Sequence, residues 1–250
     1  MAVPSMPSLS SRIMHTTELD PTLSQTLSDA EKSGLKLVIA NKNYSSWSMR
    51  PWVLMTAFNI PFQEIGVLLE RDDTTAQIAH YSASGRVPIL LAGETAVWDS
   101  LAICEYLAEQ FPDQRMWPED VAARAMARSI CAEMHSGFRG LRTAMWMNIR
   151  ARFPGKGRTP DAQADIGRIS EIWEDCLAAS GPHDFLFGDF TIADAYFAPV
   201  ATRFRTYEVT LGPLLDAYVD RLLDYPSVAQ WINAALAETV RIDKYDVYPD

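Results

Sequence analysis

No apolar run in the 250 residues approaches the ~18 that a membrane-spanning helix needs, so no such helix is expected. Basic residues are also scarce. Lys and Arg total 22 against 32 Asp and Glu, and the formal charge of −10 argues against broad binding to nucleic acid or to anionic membrane surfaces. There are only 3 cysteines, Cys104, Cys131 and Cys176, an odd and widely spaced set that makes no disulfide framework. Each lies in a stretch that reads as helix, so buried thiols in a reducing, cytoplasmic compartment are expected. The 4 histidines, His15, His80, His135 and His183, are scattered, and none stands at ligand spacing from a cysteine or another histidine. No metal site is expected. No secretory leader is recognisable, so Asn43-Tyr44-Ser45 is not read as a glycosylation site.

What is present divides into two patterns. Residues 1–34 are rich in Ser, Thr, Pro and Met and read as a loosely ordered extension, with a short helix near Leu19–Ala30. Leu35–Ala40 is then a short apolar run ending in the turn-prone Asn41-Lys42-Asn43, which reads as a buried strand. A helix is expected next, with Ser48 as its N-cap and Pro51 in its first turn, followed by a strand over Phe62–Leu69. A helix over Thr74–His80, a hairpin of Val87–Leu91 with Ala96–Trp98, and a helix opened by Asp99-Ser100 complete a β-α-β-α-β-β-α order over residues 35–113. That is the order of a thioredoxin-like α/β domain. Pro112–Pro118 reads as a linker, and residues 114–250 as an all-helical domain. In that domain the spacing of Met126, Ile130, Met134, Leu141, Met145 and Ile149 predicts one helix of about thirty residues. Further helices are expected near 161–179, 191–206, 214–223 and 227–239.

Three places in the first domain carry chemistry. Tyr44-Ser45-Ser46-Trp47-Ser48-Met49-Arg50 puts serine hydroxyls at a helix start, where backbone N–H groups and the dipole favour an anion such as a thiolate. The same serines suit plain turn and cap roles. Val87-Pro88 opens a strand, as a cis bond or as an ordinary edge-strand proline. Asp99-Ser100 is either a plain cap or a cap whose neighbours grip a carboxylate and an amine.

In this order and spacing the three sites resemble those of the cytosolic glutathione transferase family, and Ser45-Ser46-Trp47-Ser48-Met49-Arg50 is similar to the SSC-S-x-R segment of the zeta class. Phe187-Gly188-Asp189-Phe190-Thr191-Ile192-Ala193-Asp194 resembles the family's hallmark helix start and reads independently as a capping box, with Phe190 placed for a hydrophobic staple. The resemblance covers roughly residues 35 to 240. It implies a glutathione transferase architecture with glutathione as cosubstrate and no metal. Ser45 would contact the sulfur, with Tyr44 as the alternative. Ser46, Trp47, Arg86, Val87, Pro88, Asp99 and Ser100 would line the glutathione site. Trp47 stands where the zeta class has cysteine, which sets this chain apart from that class's isomerases. A homodimer acting on a small-molecule electrophile is implied, with no nucleic acid or membrane partner. The competing functions are a non-catalytic ligand-binding relative of the fold and a glutathione-dependent isomerase or ether-cleaving enzyme.

Between Met134 and Pro160 there is no acidic residue and there are six basic ones, Arg139, Arg142, Arg150, Arg152, Lys156 and Arg158. On a continuous helix His135, Arg139, Arg142, Trp146 and Arg150 would form one stripe. The family likeness places that helix beside the second substrate. Arg139, Arg142, Trp146 and Arg150 are therefore expected to favour an aromatic or anionic electrophile, the other reading being a solvated basic face.

Overall fold

The computed structural model describes residues 34–181, 184–246 and 248, so the expectations for residues 1–33 lie outside it. Strand β1, Leu35–Ala40, is central because both of its faces are apolar. Leu35, Leu37 and Ile39 join the main core, while Val38 turns the other way to meet Val67, Ile78 and Ile89. It pairs parallel with β2, Gln63–Val67, and antiparallel with β3, Ile89–Ala92, which in turn pairs with β4, Thr95–Trp98. The sheet order is β2-β1-β3-β4.

Helices α1, Ser46–Ala57, and α3, Ser100–Gln110, pack against each other beside the main core, while α2, Thr74–Tyr81, covers the other face through Ile78. Helix α1 begins earlier than expected. Its cap position is Ser45, and Pro51 lies inside the helix. Ser48, expected as the cap, is fully buried in the first turn, where its Oγ accepts a hydrogen bond from the Ala40 N–H at 3.1 Å. A hydroxyl that ties the helix to the end of β1 is no longer available as a cap.

The all-helical half consists of α4 (Val121–Ser136), α5 (Arg139–Ala144), α6 (Pro160–Ser180), α7 (Ile192–Tyr207), α8 (Pro213–Asp224) and α9 (Pro226–Ala237). Every residue of α7 except Arg205 is buried, as befits a helix with neighbours on all sides. Its start is the expected capping box. Thr191 and Asp194 bond reciprocally, and Asp194 also accepts from the Leu186 N–H and the Tyr218 hydroxyl. Burial raises the Asp194 carboxyl to about 6 against those hydrogen bonds. The Phe190 ring stacks on Tyr225 at 4.0 Å.

The single helix of about thirty residues is not formed. The chain breaks at Gly137, where a Cβ would lie 2.7 Å from the Glu133 carbonyl oxygen, and Phe138 adopts a left-handed φ of 53°. Helix α5 then ends at Ala144, and residues 145–159 carry no helix. Leu141, Met145 and Ile149 are nevertheless buried, so their spacing records burial rather than helix, and Met126 is half exposed.

After α9 the chain runs back across the sheet domain. Glu238 accepts from the backbone N–H groups of Lys42 and Asn43 at 2.6 and 3.0 Å, and Asn148 donates to Asp246 at 2.6 Å. Lys244 pairs with Glu70 at 3.0 Å, and the Tyr248 hydroxyl donates to the Ala144 carbonyl. Among the described residues no helix is long and apolar enough to cross a membrane.

Candidate active site

Two cavities lie between the halves of the molecule. The first, of about 620 Å³, has Asp99, Ser100 and Pro88 on its sheet-domain wall and His135 on its helical wall. The second, of about 550 Å³, holds Tyr44, Ser45 and Ser46 opposite Trp146, Met147 and Arg203. Trp47, Arg86, Val87 and Arg142 line both. The Val87-Pro88 bond is cis.

At the first cavity Asp99 caps α3 with Oδ1, which accepts from Leu101 N–H at 2.8 Å and Ala102 N–H at 3.4 Å. Its Oδ2 lies 3.1 Å from His135 Nε2. His135 Nδ1 is 2.8 Å from the Tyr196 hydroxyl, which is 3.0 Å from Ser100 Oγ. Residues far apart in the chain thus close one polar chain across the two halves. Burial pushes the Tyr196 hydroxyl well above its ordinary value.

At the second cavity Ser45 is 7% exposed, and its Oγ donates to Ser48 Oγ at 2.8 Å. It makes no side-chain cap bond to α1, so its hydroxyl is not committed to the helix start. The Tyr44 hydroxyl, in contrast, accepts from Arg150 at 3.0 Å and from the Ile242 N–H at 3.3 Å, and faces Asp246 at 3.3 Å.

Trp47 is held between cations, with the Arg50 guanidinium carbon 4.1 Å from its ring centroid and that of Arg142 at 5.1 Å. Its edge meets His135. Arg50 is 1% exposed, and its Nε and Nη1 have no hydrogen-bond partner among the described residues. It lies equally close to the Tyr196 ring, so two aromatic faces take the place of a counter-ion. Burial lowers its pKa and that of Arg142, and brings Arg203 down to about 9. Among the described residues no group of three or more His, Cys, Asp or Glu side chains is gathered for a metal ion. All three cysteines are buried free thiols.

The structure thus gathers Ser45, Ser46, Trp47, Arg86, Val87, Pro88, Asp99 and Ser100 around adjoining cavities, and brings Arg142 and Trp146 to them. It does not bring Arg139, which is exposed, or Arg150, which is drawn away to the carbonyls of Glu238 and Val240. The expected basic stripe fails because the helix that would carry it is broken. The sequence does not single out Tyr196 or Arg203, and gives Arg50 only as the end of the serine segment, with no role. Their signal was a polar or charged residue at an interior position of an otherwise apolar helix.

Residues 44–110 match the family model for the N-terminal domain of glutathione S-transferase, and residues 124–234 match the model for its C-terminal domain. A probable maleylacetoacetate isomerase from Vibrio cholerae serotype O1 is 30% identical over 205 residues, covering 78% of this chain and 95% of that one. A probable maleylacetoacetate isomerase from Caenorhabditis elegans is 25% identical over 208 residues, covering 82% and 91%. Among solved structures, a Burkholderia glutathione transferase homologue with bound glutathione superposes with a TM-score of 0.62 at 25% identity, covering 80% of this chain and 97% of that one.

Proposed function

We propose, from the premise that this chain belongs to the glutathione S-transferase family, that it activates the thiol of glutathione for attack on a small electrophile. The observation that carries this reading is the shared wall of the two cavities, which puts Asp99 and Ser100 in one and Ser45 in the other, with Trp47, Arg86 and Val87 between them. Glutathione would lie along that wall. Its γ-glutamyl ammonium and carboxylate would meet Asp99 and Ser100, and its sulfur would meet Ser45.

A free thiol has a pKa of about 8.5, so attack at neutral pH needs a stabilised thiolate. Ser45 stands at the N-terminus of α1, where the dipole favours an anion. When Ser45 turns its hydrogen to the sulfur, Ser48 can donate to Ser45 Oγ while still accepting from the Ala40 N–H. The commitment of the Tyr44 hydroxyl to Arg150 and Ile242 favours Ser45 over Tyr44.

The electrophile is read as anionic or aromatic. Arg86, Arg142 and Arg203 line the second cavity, and its Glu70 is already paired with Lys244. The partly desolvated Arg142 and the buried Arg203 favour an incoming carboxylate, and Trp146 offers an aromatic face. The relatives named maleylacetoacetate isomerase support a second reading. Here the thiolate adds to a carboxylate-bearing alkene and is expelled after bond rotation, returning glutathione unchanged. The arginines favour it, whereas Trp47 stands at the zeta-class cysteine position. Family membership also supports a cytoplasmic homodimer.

The test is calorimetric glutathione binding together with turnover of a chloronitrobenzene, comparing wild type with Ser45→Ala. Retained binding with a rate lower by on the order of 100-fold is expected. An unchanged rate would remove Ser45 from the chemistry, and absence of binding by the wild type would replace the enzyme with a ligand-binding protein of the same fold.

A further inference from the structure

Resting on the glutathione reading above, the geometry points to His135 and Tyr196 as positioning residues of the γ-glutamyl end: together they decide which way the Ser100 hydroxyl presents its hydrogen.

Asp99 Oδ2 lies 3.1 Å from His135 Nε2, and a carboxylate there requires a hydrogen on Nε2. In neutral His135, Nδ1 then carries only a lone pair, so the Tyr196 hydroxyl, 2.8 Å away, donates to it. The Tyr196 oxygen is left to accept from Ser100 at 3.0 Å. Ser100, which lines the cavity, then shows an incoming carboxylate only lone pairs. A second proton on the imidazole reverses each step. Nδ1 donates to Tyr196, Tyr196 donates to Ser100, and the Ser100 hydrogen turns into the cavity to meet the carboxylate.

The balance is one proton taken from solvent onto Nδ1 for each γ-glutamyl carboxylate that Ser100 meets, with no covalent bond made or broken. Tyr196 keeps its proton in both states, consistent with its burial. The charged groups that face His135 come from every neighbouring element. Asp99 stands at the start of α3 and Tyr196 on α7, while Arg50 of α1 stacks on the Tyr196 ring. Arg142 of α5 donates to the His135 carbonyl, and Arg86 lines the same cavity. A carboxylate entering among these cations supplies the negative charge that the second proton accompanies.

S-methylglutathione is the probe, because it keeps the γ-glutamyl group and has no titrating thiol. Its binding is measured by calorimetry between about pH 6 and 8, in buffers of different ionisation heat, for wild type, His135→Gln and Tyr196→Phe. The wild type is expected to take up protons on binding, with Kd rising by up to about tenfold per pH unit within that interval, and both variants to lose the uptake. No uptake by the wild type overturns the inference while leaving the glutathione reading intact. Uptake retained by either folded variant also overturns it. His135 sits on the cavity wall, so His135→Gln carries the test if the buried Tyr196→Phe does not fold. Failure of the wild type to bind S-methylglutathione at all overturns both readings.

Discussion

Around Ser100 polar groups alternate in sign and role: a carboxylate, an imidazole, a phenol and a hydroxyl form one continuous chain, with Asp99 also capping a helix. Around Ser45 the wall is unbalanced, with Arg86, Arg142 and Arg203 facing a carboxylate, Glu70, that Lys244 already holds. The first arrangement suits a ligand end that always carries one positive and one negative charge, as the γ-glutamyl group does. The second has an excess of positive charge, which under the proposed function would face the electrophile. The contrast is between a closed hydrogen-bond chain and two cations, Arg142 and Arg203, that donate to backbone carbonyls and have no carboxylate as a hydrogen-bond partner among the described residues.

The largest effect expected to break this contrast comes from Asp99→Ala, which removes the proposed partner of the ammonium, the α3 cap and the His135 contact together. Glutathione binding should weaken by roughly 100-fold, about 3 kcal/mol, as read by calorimetry. Ser45→Ala should leave binding within a few-fold and lower kcat by on the order of 100-fold in steady-state assays. Arg150→Gln should cost about 2 kcal/mol in urea unfolding, because its hydrogen bonds to the Glu238 and Val240 carbonyls and to the Tyr44 hydroxyl are lost, with no preference between anionic and neutral electrophiles. Arg142→Gln should raise KM for a carboxylate-bearing electrophile by about tenfold, about 1.4 kcal/mol, and spare a neutral one. Equal KM changes for the two electrophiles in the Arg142 variant would end the assignment of the second cavity to anions.

The difference between Arg142 and Arg150 also shows where sequence reading stops. Asp99 as a cap, the Thr191-Asp194 box and β1 as a buried strand were legible because each depends on residues within a few positions of one another. The meeting of Asp99, His135 and Tyr196 depends on how three helices converge, and no local spacing encodes it. His135 was visible only as a member of a basic stripe aimed at the electrophile, and the structure turns it to the opposite end. Gly137 and Phe138 explain the error. A single residue in the left-handed region redirected everything after it, while the apolar periodicity carried on past the break.

The segment after α9 adds an order in time. Its Glu238 holds the Lys42 and Asn43 amides, 196 and 195 positions away, just ahead of Ser45. Synthesis runs from the amino end, so the loop that presents Ser45 leaves the ribosome long before its clasp exists. A nascent chain that has already made both cavity walls still lacks the clasp on the Ser45 loop until Glu238 has followed.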